Sequence, residues 1–269
     1  MKTITECLLS DEEQVCKVCG ENKTVEVDVM GKVKYMPIRC KCEMDEYEKT
    51  IERTANAEKQ IKVDRLRNFS LMDKRFEQCT FDKWTVGSKK LRNVAEKYVE
   101  NWGQNKQDNL GIVFSGPVGT GKTYAVSCIA NALLSKGVPV MAVNMIGLMN
   151  KIKKTFGSNL EDGKYEVLVA IKNSDLFILD DLGAEYLTDW SKTLLYEMID
   201  ERYRQKLPLI ITTNMTTKKL QDKLTVDGIE RIYDRIMALC TDYPVFGDSL
   251  RKDEHKTKQE LFKKMMEGK

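Results

Sequence analysis

From residue 109 onward, short apolar runs alternate with longer stretches in which apolar positions recur every three or four residues. The runs NLGIVFSG, PVMAVN, DLFILDDLG and LPLIITTN are too short for helices and have no polar alternation, the pattern of strands buried on both faces. Between them, 123–136, 146–156 and 190–205 carry helical spacing. This order predicts an α/β fold, a parallel sheet flanked by helices. The last part, 217–269, has little strand signal and predicts helices with a short extended piece at 243–246. Upstream, Phe76, Phe81 and Trp84 precede Leu91, Val94, Ala95, Tyr98, Val99 and Trp102 at helical spacing, so the main domain is expected to begin near Phe76. Nearer the start, Val25, Val27 and Val29 alternate with polar residues, and Gly31 separates them from Val33 and Tyr35, as in a hairpin. Residues 43–68 are rich in Glu, Lys, Arg and Ala without Pro or Gly and read as a solvated linker helix. The expected organisation is a module over 1–45, a linker over 46–75 and a domain over 76–269, with no internal repeat.

The segment Gly116, Pro117, Val118, Gly119, Thr120, Gly121, Lys122, Thr123 fits GxxxxGK[ST] directly after an apolar run and before a helical pattern, with Tyr124 next in line. Its glycines let the loop curl so that successive N–H groups face phosphates, aided by the positive end of the following helix. Lys122 is expected on the β- and γ-phosphates, and Thr123 offers Mg²⁺ a hydroxyl. A second apolar run ends in Asp180 and Asp181. Carboxylates there are costly without a partner, so Asp180 is assigned to hold Mg²⁺ and Asp181 to orient or deprotonate the attacking water. Asn214, where a third run leaves the sheet, is the candidate γ-phosphate sensor.

Eight cysteines change the picture at the N-terminus. Cys16 and Cys19 form one close pair and Cys40 and Cys42 another, with Cys7 as a possible substitute for Cys42. Four thiolates in two pairs suit tetrahedral Zn²⁺ in a module too small for its own core. A redox role is less apt, since no βαβ pattern surrounds the CxxC. The net charge of +3 is too small to announce a nucleic-acid binder, so any basic surface must be local. No run approaches the ~18 apolar residues of a membrane span and the start lacks a signal-peptide core. A cytoplasmic protein without membrane attachment is expected. His255, the only histidine, lies among charges and receives no role.

The residues GPVGTGKT, LFILDDLGAEYLTDW, ITTN, RIYDRI and SLR, spread over Phe76 to Arg251, resemble the helicase loaders of the DnaC/DnaI type, in the initiator branch of the AAA+ P-loop ATPases. The IstB-type transposition helpers share nearly all of them. The resemblance implies ATP as the nucleotide, and no guanine-reading NKxD follows the strands. It implies ATP hydrolysis used as a switch, with Asn214 as sensor I, Arg231 or Arg235 as an arginine finger reaching a neighbouring subunit, and Arg251 as sensor II. It also implies self-association, a DnaB-type replicative helicase as partner, and a helix facing single-stranded DNA, here the one holding Lys151, Lys153, Lys154 and Phe156. Two other readings stay open: a transposition helper acting on duplex DNA, and an adaptor that binds nucleotide without turnover. The Cys-rich module suits the loader better than the transposition helper, and the intact pair of acids disfavours the adaptor.

Overall fold

A computed structural model describes residues 15–69, 78–84, 88–156, 159–225 and 229–266. The chain divides into two compact units, Met1–Lys59 and Gln60–Lys269. In the first unit, β1 (Thr24–Val29) and β2 (Lys32–Pro37) pair antiparallel, with Val29 opposite Lys32. The two residues between them, Met30 and Gly31, both have positive φ, as a tight hairpin whose turn follows the strand twist requires. The helix that follows, α1 (Lys41–Phe69), begins inside the second cysteine pair.

The second unit is built on a five-stranded sheet in the order β4-β5-β6-β3-β7, every neighbouring pair parallel. Its strands are β3 (Gly111–Ser115), β4 (Val140–Asn144), β5 (Leu176–Asp180), β6 (Leu209–Thr213) and β7 (Cys240–Pro244). Helices α2 (Lys89–Glu100) and α3 (Trp102–Gln107) precede the sheet, and α4 (Lys122–Ser135) joins β3 to β4. Both α5 (Met145–Phe156) and α6 (Leu160–Asn173) lie between β4 and β5 in sequence, and α7 (Asp189–Gln205) between β5 and β6. The sequence reading had one helix where α5 and α6 stand. It also placed the last extended piece at 243–246, whereas β7 starts at Cys240 and pairs along the whole of β3. After β6 come α8 (Thr217–Leu224) and α9 (Arg231–Leu239), and α10 (Leu250–Met266) closes the described chain.

Successive side chains of a strand point to opposite faces, and both faces of this sheet are covered. Val113, Met141, Val143, Phe177, Leu179, Leu209 and Ile211 share one cluster with residues of α5, α6, α7 and α9. Phe114, Val140, Ala142, Leu176, Ile178 and Ile210 join the other, with α2 and α4. The near-continuous apolar runs follow from this double burial. At the N-terminal ends of β5 and β6, the fully buried Arg202 of α7 donates to the carbonyls of Ser174 (2.7 Å), Asp175 (2.8 Å), Pro208 (2.7 Å) and Ile171 (3.1 Å). Its planar fork gathers carbonyls of the segments that lead into β5 and β6, and burial lowers its pKa to about 10. Among the described residues no helix is long and apolar enough to cross a membrane.

Candidate functional site

β3, β6 and β5 are adjacent and parallel, so their C-terminal ends open on one side of the sheet. There stand the loop 116–121, Asn214 and the two acids. Lys122, only 5% exposed, donates to the carbonyls of Gly116 (2.8 Å) and Pro117 (2.7 Å) and to Asn214 Oδ1 (2.8 Å). The amide of Asn214 in turn donates through Nδ2 to Asp181 Oδ1. One amide thus links the ammonium of the loop to a carboxylate two strands away, and the chain of contacts fixes which way Asn214 faces. Thr123 Oγ1 donates to Asp180 Oδ1 (3.0 Å), as does Thr212 Oγ1 (2.6 Å). Burial pushes the Asp180 carboxyl above the usual carboxylate range, and the hydroxyls of Thr212 and Thr123 oppose that shift. Asp181 adopts φ 56°, a left-handed conformation uncommon for a residue with a side chain.

The oxygens of Thr123 and Asp180 form a hard, oxygen-only donor set beside the glycine loop that opens α4, and that set fits Mg²⁺ and a polyphosphate. Elsewhere in the loop, Thr120 is buried and donates to the Pro117 carbonyl (3.0 Å), while Pro117 and Val118 are exposed. Tyr124 packs edge-on against Trp84, with ring centroids 5.2 Å apart.

Two glycines of the loop are required for a reason the motif does not state. The segment 245–250 lies against them as a strap: Val245 N–H donates to the Ser115 carbonyl (2.7 Å) and Leu250 N–H to that of Gly119 (3.0 Å). A Cβ on Gly116 would lie 2.2 Å from the Val245 carbonyl oxygen, and one on Gly119 would lie 2.1 Å from Ser249 Oγ. At Gly116 and Gly119, then, the loop is packed against its own chain.

The remaining candidates are distributed differently. Arg235 is held within the unit: its Nε pairs with Asp200 Oδ1 (2.9 Å) and its guanidinium lies 4.6 Å from the Tyr196 ring centroid. Arg231, at the start of α9, is exposed and has no ion pair among the described residues. On α5, Lys153 and Lys154 are exposed, whereas Lys151 is half-buried and its pKa is lowered by that burial. The side chains of Phe156, Arg251 and His255, and all of Cys7 and Phe76, lie outside the described residues.

In the first unit the sulfurs of Cys16, Cys19, Cys40 and Cys42 all lie within 4.8 Å of one another. Individual separations are 3.4 Å for Cys16–Cys42, 3.2 Å for Cys40–Cys42 and 3.5 Å for Cys42–Cys19. A tetrahedron of thiolates around Zn²⁺ has edges of about 3.8 Å. The N–H groups of Cys19 and Val18, aided by the thiols of Cys40 and Cys42, draw the Cys16 thiol down to about 6. Burial of Cys40 pushes its pKa up. The knuckle itself is a tight turn closed by Gly20 N–H on the Cys16 carbonyl (2.8 Å). Four converging sulfurs, one held by backbone donors, fit a metal.

Sequence reasoning missed Thr212, the strap and Arg202. Thr212 stands in LIITTN, where a threonine reads as an ordinary strand former; no local signal marks it.

The family model described as IstB-like ATP binding protein matches residues 42–259. The replicative helicase loader DnaC of Buchnera aphidicola subsp. Baizongia pistaciae is 28% identical over 201 residues, covering 73% of this chain and 79% of that protein. DnaC of Escherichia coli K12 is 28% identical over 195 residues, 71% of this chain and 76% of that one. A crystal structure of DnaI superposes with a TM-score of 0.55 at 24% identity, covering 69% of this chain and 98% of that one.

Proposed function

Since this chain belongs to the IstB-like ATP-binding protein family, we propose that it is an ATP-driven loader of a replicative helicase. The observation that carries the reading is the continuous linkage Lys122–Asn214–Asp181 beside Thr123–Asp180, in a chain similar along three quarters of its length to proteins named helicase loaders. ATP binds with its phosphates on the N–H groups of Gly116 and of residues 118–123 and on Lys122, with Pro117 shaping the loop. Thr123 and Asp180 hold Mg²⁺, which neutralises phosphate charge in such sites. Asp181, fixed by Asn214, orients water for attack, and Asn214 senses the γ-phosphate because it touches both Lys122 and the acid. Loss of that phosphate changes the contacts of Lys122 and Asn214 and shifts the balance among conformations, which is how hydrolysis acts as a switch.

Self-association supplies the arginine finger in this reading. Arg231 is the better placed of the pair, since it is exposed while Arg235 is committed to Asp200. Lys153 and Lys154 track single-stranded DNA, with Lys151 set back between helices. The cysteine cluster binds Zn²⁺ and forms the rigid base of a module over 1–45, separated by the 46–75 linker from the ATPase domain over 76–269. That module engages a DnaB-type helicase in the cytoplasm.

ATP turnover by wild type and Lys122→Ala, alone and with single-stranded or duplex oligonucleotides, tests the reading. Turnover altered by single strands and lost in K122A is expected. A response to duplex alone would move the chain to the transposition helpers, and absence of Lys122-dependent turnover throughout would leave a nucleotide-binding adaptor.

A further inference from the structure

The ladder between β5 and β6 stops one residue short of the acids. Its last pair is Leu179 with Ile211; Asp180 still pairs with Asn144 of β4, while Asp181 and Leu182 lie past the end of β5 and beyond that ladder. Unpaired N–H groups in a half-buried turn are costly, and something must accept them. Thr212, 1% exposed, does so for both residues. Its Oγ1 accepts from Asp181 N–H (2.8 Å), and its carbonyl oxygen accepts from Leu182 N–H (2.8 Å). The same hydroxyl donates its one proton to Asp180 Oδ1 (2.6 Å).

A hydroxyl has one proton, so its direction is settled by its partners. Here the carboxylate can only accept and the amide can only donate, which leaves Thr212 one arrangement. Asp180 Oδ1 is thereby turned toward the two hydroxyls of Thr123 and Thr212. Asp181 is held at its left-handed φ of 56°, the backbone state in which its side chain meets Asn214. The neighbouring Thr213 has a different duty, since its hydroxyl accepts from Met215 N–H (3.2 Å).

We propose that Thr212 is the positioning residue of the nucleotide site, its hydroxyl setting the orientation of both Asp180 and Asp181. The proposal rests on the ATPase reading above and adds to it a residue that acts through the two acids. It predicts that the hydroxyl, and not the volume, of residue 212 controls the site's demand for Mg²⁺.

The test uses the full chain with fluorescent mant-ADP as probe, titrated with Mg²⁺, for wild type, T212V and T212S, alongside ATP turnover. Valine keeps the branched shape and removes the hydroxyl. The expected result is mant-ADP binding near wild type without Mg²⁺, and a Mg²⁺ midpoint raised about tenfold in T212V, the scale of one lost charge-assisted hydrogen bond. Turnover falls in kcat with KM for ATP little changed, because the phosphate loop is untouched, and T212S restores both quantities. Should T212V lower the melting temperature appreciably, T212A removes the same hydroxyl with less bulk and is read in the same way. A Mg²⁺ midpoint and kcat equal to wild type in the hydroxyl-free variant, or T212S as impaired as T212V, would overturn the assignment alone. Wild type that binds no mant-ADP at any Mg²⁺ concentration would overturn the ATPase reading and this proposal with it.

Discussion

The hairpin of the first unit and the sheet of the second use strands of nearly equal length, six residues in β1 and β2 and five in β3 to β7, yet they solve opposite problems. In β2 every side chain is exposed, and Val25, Val29, Val33, Tyr35, Met36 and Ile38 all face solvent. In β6 every residue is buried. A two-stranded ribbon with no apolar cover is marginal in water, whereas a sheet packed on both faces stabilises itself. In the proposed reading, order in the hairpin comes from a metal held by the cysteine cluster at its base, and order in the sheet comes from burial. Chemical cross-linking and packing are interchangeable as sources of rigidity, and they fail under different conditions.

The largest effect that separates the two is metal removal. A strong chelator, or Cys16→Ser, is expected to release one equivalent of Zn²⁺ per chain and abolish amide protection in 24–37, because metal binding in small thiolate sites is worth about 10–16 kcal/mol. Mant-ADP binding should stay at the wild-type level; a parallel loss would mean the two units are one cooperative body. The converse perturbation is Arg202→Met, which removes the guanidinium donor shared by the carbonyls of residues 171, 174, 175 and 208. Denaturant unfolding of the second unit should lose about 3–5 kcal/mol, with zinc content unchanged. Next comes Gly119→Ala, expected to cost about 1–3 kcal/mol from the strained φ and the collision with Ser249. Ser249→Gly in the same chain should recover the part due to collision. The smallest effect belongs to the ribbon surface, where Val33→Ala should change stability by less than about 0.5 kcal/mol. A loss several times larger in the zinc-bound protein would show that β2 is covered after all.

Much of this was legible in the sequence, for reasons that differ by residue. The phosphate loop and the two acids at the end of β5 are written locally: a fixed spacing, an apolar run before it, a charge where charge is costly. The hairpin could be read because Val25, Val27 and Val29 keep a period of two up to Gly31. The second helix between β4 and β5 was missed although Gly163, Val167, Ala170 and Ile171 are buried at helical spacing, since a glycine in the pattern reads as a break. Arg202 was illegible because an arginine on a helix ordinarily marks a solvated face, and only the fold places it under β5 and β6. β7 was misplaced by three residues, drawn toward Val245 and Phe246, because the pairing that begins it at Cys240 is with β3. Thr212 is the limiting case: its partners are fixed by where a ladder ends, which no window of sequence contains.

The framing of the phosphate loop by its strap also sets a timetable. Ser115, the residue before the loop, donates to Asp242 across 127 positions of chain (2.8 Å), and Val245 and Leu250 close the loop from later still. At ribosomal speeds of about 5–20 residues per second, the glycine-rich segment is made on the order of ten seconds before its walls exist. A nascent or prematurely released chain therefore carries the phosphate-binding sequence without the frame that shapes it. The frame of the loop exists only once the chain has been made through Leu250, so nucleotide capture by the framed loop follows synthesis of that segment.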